Sequence, residues 1–238
     1  PVSSSVFIHI VVTRSHSNYS MYIDGTYQSS GTGKESELTS RSASLGSGAT
    51  WGDFQGTIAY FRIWNGTVLS ADEVQFLYNT RETKYTQNDF KLFNNPRLDF
   101  HVNNQLSLAI SENGLTLPQY DVEVKGNELA CTKPTYAWEF RNGTGTNTVY
   151  DLVSGVAATP TNGATSSAAG MTFNGGTDYV ELTPFELGGT FSMETFVTVD
   201  YSSGRFFHMT DTDGGNPLVL GRYGNQRLCF QYGPGYNY

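Results

Sequence analysis

The segment Asp211-Thr212-Asp213-Gly214-Gly215-Asn216 carries oxygen-bearing side chains at a spacing that could bind a metal. Asp211, Asp213 and Asn216 stand around a glycine turn, and such oxygen ligands suit a hard cation such as calcium. The segment lacks the later glutamate of an EF-hand loop, and it also suits an ordinary hairpin turn between strands. We therefore assign no metal ligand and no catalytic or cofactor-binding residue, and the cofactor, if any, is unknown.

Aromatic rings are the second candidate for binding chemistry, because exposed rings can stack on sugars. The sequence has 15 Phe, 15 Tyr and 3 Trp, and we expect most of them to fill a core. Tyr232, Tyr236 and Tyr238 are the candidates for exposed stacking platforms. A core role remains the better interpretation of any single ring.

The composition excludes several classes of protein and indicates an all-β fold. Acidic residues outnumber basic ones by 22 to 14, and this net charge of −8 argues against a nucleic-acid partner. No apolar run approaches the roughly 18 residues of a membrane-spanning helix. The 26 glycines and the many aromatic residues are typical of an all-β protein. Cys131 and Cys229 form no zinc motif, and we favour two unpaired thiols over one long-range disulfide.

The first 82 residues are predicted to form strands separated by turns. Residues 7–12 and 20–23 are apolar enough for strands, and Asp24-Gly25 is typical of a type I′ hairpin turn. Residues 29–49 contain few apolar side chains, so we expect a long exposed loop there.

A longer strand and one helix follow that expected loop. Residues 58–64 have a period of two that places Ile58, Tyr60, Arg62 and Trp64 on one side and Ala59, Phe61 and Ile63 on the other. Ser70 and Glu73 form a capping box, which predicts the start of a short helix. Val74, Leu77 and Tyr78 then share one helical face, so we expect the helix to lie on a sheet.

The rest of the chain divides into two further segments. Residues 83–133 contain alternating apolar residues and the hairpin signal Asn113-Gly114, which predict a β-rich linker or small β domain. Residues 134–238 return to longer alternating strands, with clear examples at 178–182 and 191–199.

Both outer segments resemble laminin-G-like domains of the concanavalin A-like lectin and glucanase superfamily, a group also related to pentraxins. Residues 54–64 and 69–74, followed by Leu77-Tyr78, resemble the family's C-terminal signature, and residues 9–13 and 21–25 resemble its central hairpin. The third segment resembles the family's beginning at Trp138-Glu139-Phe140, Tyr150-Asp151, Met171-Thr172-Phe173-Asn174-Gly175, Asp178-Tyr179-Val180 and residues 191–197. The resemblance implies an antiparallel, jelly-roll, concanavalin A-like β-sandwich, a fold that hosts many unrelated activities.

The order of the halves is inverted relative to that family. Residues 1–82 resemble the C-terminal half of a sandwich and residues 134–238 the N-terminal half, with 83–133 between them. The chain could be a window cut from an array of such domains, or one circularly permuted sandwich whose former termini lay close together. We favour the window, because Pro1 and Tyr238 both look like arbitrary ends.

The resemblance also sets expectations for chemistry. The glucanase branch carries two glutamates flanking an aspartate on one strand, and the nearest match here is Asp121-Val122-Glu123, outside both halves. No Gly-x-Ser-x-Gly elbow occurs either, so we predict that the chain is not an enzyme and keep a degenerate glycoside hydrolase as an alternative. Relatives often hold calcium at a sandwich rim, where Asp178 is a candidate ligand, although a turn-stabilising role is the favoured one.

These observations predict a non-catalytic structural or adhesive module of a large extracellular or virion-surface protein. Its expected partners are other structural proteins or neighbouring repeats, and glycans. Residues 106–115 are similar to strand–turn repeats of viral and phage fibres, and the mixture of segments resembles surface or minor capsid proteins of giant DNA viruses. A calcium-assisted carbohydrate-binding lectin module is the first alternative.

Overall fold

The computed structural model describes residues 6–33, 38–46, 54–82, 84, 97–102, 105–111, 114–116, 133–142, 145, 148–199, 204–210, 218–223 and 227–232. The described strands, in chain order, are β1 (Ile8–Ser15), β2 (Asn18–Ile23), β3 (Thr26–Thr32), β4 (Leu38–Leu45), β5 (Gln55–Asn65), β6 (Arg97–Val102), β7 (Gln105–Ser111), β8 (Gly114–Thr116), β9 (Tyr136–Glu139), β10 (Val149–Tyr150), β11 (Ala157–Thr161), β12 (Thr165–Ser167), β13 (Gly170–Asn174), β14 (Tyr179–Leu187), β15 (Thr190–Val199), β16 (Gly204–Thr210), β17 (Leu218–Tyr223) and β18 (Arg227–Tyr232). The described helices are α1 (Ala71–Asn79) and a short 3-10 helix (Phe140–Asn142).

The described strands form two large antiparallel sheets and one small one. The first sheet has the order β12-β13-β5-β15-β1-β2-β3, with β9 also paired to β5, and the second has the order β10-β11-β14-β4-β16-β17-β18. The small sheet is β6-β7-β8, whose last two strands flank the predicted Asn113-Gly114 turn, while residues 117–132 lie outside the described residues. The chain is therefore an all-β antiparallel sandwich, as the sequence predicts.

Aromatic side chains fill the core between the two large sheets. The ring of Phe61 stacks on Trp138 and Phe207, with centroids 6.2 and 4.9 Å away, and Phe54 meets Phe206 edge-on at 5.1 Å. Burying a side chain of this size contributes about 1.5–3 kcal/mol to folding. This core explains the high aromatic content of the chain.

Both large sheets contain strands from the first and the third segments. β1 pairs with β15, β5 pairs with β13 and β15, and β4 lies between β14 and β16. In the described residues the two segments pair with each other within one chain, and each large sheet is built from both.

The β2–β3 hairpin forms at the predicted turn. Asp24 and Gly25 have φ angles of 49° and 74°, and the strand partners Ile23 and Thr26 directly flank them. Positive φ at both central residues is the geometry of a type I′ turn, which Asp-Gly accepts readily.

The long loop expected over residues 29–49 is wrong, because β3 and β4 occupy most of its described part. β3 is an exposed polar strand that pairs with β2, so it has no buried face to produce an apolar alternation. β4 has three serines among its eight residues, yet Ala43 and Leu45 are buried in the core. Pairing on both sides satisfies the backbone of β4, so a strand forms there with few apolar residues.

The predicted faces of β5 are wrong at Ile58 and Ala59. Tyr60, Arg62 and Trp64 share the outer face as predicted, whereas Ile58 joins Phe61 and Ile63 in the inner core and Ala59 packs with Tyr60 on the outer side. The reason is a β-bulge at Ala59, where the pairing with β15 skips from Tyr60 to Ile58. One extra residue reverses the side of every residue before it.

Helix α1 begins as predicted and covers the outer face of the first sheet. The Glu73 amide donates to the Ser70 hydroxyl and the Glu73 carboxylate accepts from the Ser70 amide, which completes the capping box. Val74 and Leu77 pack on Val11 and Trp64. No helix in the described ranges is long and apolar enough to cross a membrane.

Candidate functional site

The outer face of the first sheet, beside α1, holds a buried polar cluster around Glu194. Glu194 lies on β15 directly opposite Arg62 of β5, and His9 and Tyr60 occupy diagonal positions on the neighbouring strands. His9 Nε2 and the Tyr60 hydroxyl each donate to Glu194 Oε1 at 2.9 Å, and Arg62 Nη1 donates to Oε2 at 3.0 Å. All four residues are at most 5% exposed. We call them the Glu194 cluster.

Burial and the neighbouring groups set the charges of Glu194 and Tyr60. Burial favours the protonated form of Glu194, but Arg62 and the hydrogen bonds from His9 and Tyr60 outweigh burial and hold its pKa below the usual value. Burial, followed by the charge of Glu194, raises the pKa of Tyr60 well above its usual value. An ionised carboxylate and a neutral phenol are therefore buried beside the Arg62 guanidinium.

A second buried ion pair ties the end of α1 to the sheet. Arg141 donates to both carboxylate oxygens of Glu139, at 2.7 and 2.8 Å. Its remaining nitrogen donates to the carbonyls of Arg81 and Glu82, at 3.3 and 3.4 Å. Such a bidentate pair has a fixed geometry, so it anchors residues 81–82, which follow the helix.

The ring of Tyr60 lies between the two ion pairs. The guanidinium carbon of Arg62 is 4.0 Å from the ring centroid and that of Arg141 is 5.2 Å from it. Cation–π contacts of this kind are stronger when desolvated. Tyr60 therefore links the Glu194 cluster to the Glu139–Arg141 pair, and both belong to the framework rather than to an open site.

Two aspartates in the segment that resembles the family's beginning accept hydrogen bonds from backbone amides. Asp151 accepts from the amides of Ala137 and Ser154, at 2.7 and 3.0 Å. Asp178, the candidate rim ligand, accepts from the Asn174 amide at 3.0 Å, across the turn between β13 and β14. Within the described ranges, no group of three or more His, Cys, Asp or Glu side chains is placed to hold a metal ion.

Most of the other predicted site residues lie outside the described residues. These are the 211–216 loop with Asp211, Asp213 and Asn216, the pair Asp121 and Glu123, the rings of Tyr236 and Tyr238, and Cys131. Tyr232 ends β18, and only its backbone is described. Cys229 is a free, buried thiol whose pKa is raised to about 11, chiefly by burial.

An uncharged polar surface lies on the outer side of β2 and β3, which the strand register defines. Val11 faces α1, and its cross-strand partner Tyr22 lies on the same side of the sheet. The side chains that share this side form three cross-strand pairs between β2 and β3: Tyr22 with Tyr27, Ser20 with Ser30, and Asn18 with Thr32. We call this surface the β2–β3 face; its members are Asn18, Ser20, Tyr22, Tyr27, Ser30 and Thr32.

Two tyrosines form the centre of the β2–β3 face. The rings of Tyr22 and Tyr27 meet edge-on, with centroids 5.8 Å apart at 75°. The Tyr27 hydroxyl donates to Ser30 Oγ at 2.9 Å, and the side chain remains 53% exposed. This arrangement presents an ordered aromatic ring together with neighbouring hydroxyl and amide groups.

The uncharged surface continues onto α1. A side chain added at Gly25 would meet Gln75 Oε1 at 2.9 Å, so Gln75 lies directly over the hairpin turn. Gln75 Nε2 donates to Asn79 Oδ1 at 3.2 Å, and both residues are exposed. The one acid in the turn, Asp24, is exposed, and its Oδ1 accepts from the His9 amide at 3.0 Å.

Sequence reasoning missed the β2–β3 face because it placed most of β3 in a loop. The signal was present in the hairpin itself. A two-residue Asp24-Gly25 turn pairs Ile23 with Thr26, which predicts that Tyr22 and Tyr27 are cross-strand partners. The bulge at Gln28, which has no partner on β2, could not be predicted.

Comparison with known families supports the N-terminal part of this fold. Residues 1–75 match a laminin G family model described as the concanavalin A-like lectin/glucanases superfamily. The matched residues include β1 to β5 and the start of α1, so they contain the β2–β3 face and three members of the Glu194 cluster, but not Glu194 itself, which lies on β15. Searches of curated proteins and of solved structures give no significant match.

Proposed function

We propose that the chain is a non-catalytic β-sandwich module of a large extracellular or virion-surface protein, and that it engages partner proteins or glycans through the β2–β3 face. The observation that carries the proposal is the ordered, uncharged Tyr22–Tyr27 pair at the surface. The extracellular location is supported by the laminin G family match over residues 1–75. Its partners are other structural proteins, neighbouring repeats or glycans.

The buried acids support a role without catalysis. A retaining or inverting glycosidase needs two carboxyl groups that reach the substrate. Glu194 and Glu139 are buried and bound to Arg62 and Arg141, and Asp151 is bound to its own turn. These carboxylates stabilise the sandwich, which leaves recognition as the role that fits its surface.

The composition of the β2–β3 face suits recognition by contact. Tyrosine gives a large, rigid and amphipathic contact area at low conformational cost, while serine and asparagine give adaptable hydrogen bonds. The six members carry no charge in a chain whose net charge is −8. The face therefore favours neutral partners over nucleic acid or strongly charged ligands.

A lectin module is the second candidate, and Tyr27 is the residue that favours it. Its exposed ring can stack on a sugar, and Ser30 and Asn18 offer polar groups on the same side. The lectin candidate includes calcium binding by Asp211, Asp213 and Asn216, and removing calcium with a chelator tests that part separately.

The test is a glycan array and a partner-capture assay on cooperatively melting protein, with calcium and then with a chelator. We expect Tyr27→Ala to weaken binding at least tenfold. Tyr150→Ala is the matched control, because Tyr150 is 54% exposed but lies on β10 of the other sheet. Equal loss in both variants, or none in Tyr27→Ala, would overturn the role of the β2–β3 face, and loss on chelation would favour the lectin.

A further inference from the structure

β3 is an open edge of the first sheet. Among the described strands it pairs with β2 alone, and it ends the strand order. Residues 26–30 and Thr32 are exposed, and Tyr27 is 53% exposed, so none of the described segments covers this edge. Among the described residues, the backbone donors and acceptors along this edge have no strand partner.

The register shows which backbone groups face outward. The Gly33 amide donates to the Ser17 carbonyl at 2.7 Å, toward β2. Backbone groups alternate along an antiparallel strand, so Gly31 also points toward β2, while Thr32 and Ser30 point away from the sheet. The outward row therefore lies on Ser30 and Thr32.

β3 also lacks most of the features that prevent an edge strand from pairing with a strand of another molecule. Its seven residues, Thr-Tyr-Gln-Ser-Ser-Gly-Thr, include no charge and no proline. Two of the other strands that end the large sheets are short, since β12 has three residues and β10 has two, and the sequence of β18 begins with an arginine, Arg227. The bulge at Gln28 interrupts one end of β3 but leaves Ser29–Thr32 regular.

We propose that β3 pairs antiparallel with β3 of a second copy of this chain, so that the first sheet continues across a two-fold axis. Self-pairing places serine and threonine side chains opposite one another, and such pairs hydrogen-bond across strands. An uncharged edge also allows two molecules of net charge −8 to approach without local repulsion. The contact is isologous, so it closes as a dimer instead of growing into a fibre.

The dimer has a consequence for binding. A two-fold axis perpendicular to the sheet brings both β2–β3 faces to the same side, with their Tyr27 rings next to the junction. If the proposed function holds, a partner with repeated units would then be bound with avidity. The dimer itself does not depend on that function, so failure of either is observed separately.

Sedimentation equilibrium of the full chain over a wide concentration range tests the dimer. The wild type should pass from 26.2 kDa to twice that mass as the concentration rises. Ser30→Pro removes an outward N–H that β2 does not use, so it should remain monomeric, whereas Ser30→Ala keeps the N–H and should dimerise. A wild type that stays monomeric, or a folded Ser30→Pro that still dimerises, would overturn the proposal.

A charge pair tests the same contact if Ser30→Pro fails to fold. Thr32→Lys and Thr32→Glu should each be monomeric at low salt, because like charges would meet across the axis. Mixing the two should restore a heterodimer at twice the monomer mass. Absence of the heterodimer in folded, mixed protein would also overturn the proposal.

Discussion

Glu194 and Arg62 face each other across β15 and β5 and form a 3.0 Å ion pair from which water is excluded. Arg62 belongs to the segment that resembles a sandwich's C-terminal half, and Glu194 to the segment that resembles its N-terminal half. His9 and Tyr60, which also belong to the first segment, donate further hydrogen bonds to the Glu194 carboxylate. The charge of Glu194 is thus satisfied only when the two segments fold together.

Replacing Glu194 by glutamine should destabilise the protein strongly. Removing one partner of a buried ion pair leaves the other uncompensated, which costs about 3–5 kcal/mol. Urea unfolding followed by tryptophan fluorescence measures the change. Glu82→Gln is the control, because its side chain is 73% exposed and 4.0 Å from Arg141, and losing such a pair costs at most about 1 kcal/mol. Similar losses in both variants would show that Glu194 has no special role.

The Glu194 carboxylate should also make the free energy of unfolding fall at acid pH. Its pKa is lowered in the folded state, so its contribution is fully present above the ordinary value of 4.5 and is lost as the pH falls through the folded value. We expect the wild type to lose stability steeply in that acidic range. Glu194→Gln should show a shallower fall, measured by urea unfolding at each pH, and an unchanged slope would contradict the assignment.

His208 should govern a separate and higher pH range. Burial, and then the charge of Arg205, lowers its pKa from 6.5 to about 4. Between those values the unfolded chain binds a proton that the folded chain does not, so the free energy of unfolding rises with pH there. His208→Gln should flatten this rise. His16→Asn, at an exposed position where asparagine tolerates the positive φ of 55°, should leave it in place.

Sequence reasoning succeeded where the signal is local. The Asp24-Gly25 turn and the Ser70–Glu73 capping box depend on residues within three positions of one another, and both form as predicted. The Glu194 cluster joins residues up to 185 positions apart, and strand pairing alone brings them together. Alternation placed Tyr60 and Arg62 on one face, but it could not name Glu194 as their partner.

Two glycine-to-alanine substitutions should separate the effect of close packing between β13 and β5 from the effect of backbone conformation alone. Gly170 has φ +137°, and a Cβ there would lie 2.3 Å from the Ile58 carbonyl oxygen of β5. Gly176 has φ +73° with open space around it, so Gly176→Ala should cost only about 1–2 kcal/mol for its backbone conformation. Gly170→Ala should lower the urea midpoint clearly further. Equal midpoints would mean that β13 does not lie against β5 as described.

An engineered disulfide tests whether the two segments pair within one chain. Ser15 of β1 is the strand partner of Thr190 of β15, and the His16 amide donates to Gly189 next to them. The alternation of antiparallel pairs makes 15 and 190 a closely spaced, non-hydrogen-bonded pair, where Cβ atoms approach within reach of a disulfide. With Cys131 and Cys229 replaced by alanine, Ser15→Cys/Thr190→Cys should oxidise to a monomer that migrates faster without reductant. The single variants should not change migration. Disulfide-linked dimers in place of the monomer would instead show that the halves pair between chains, as in an array.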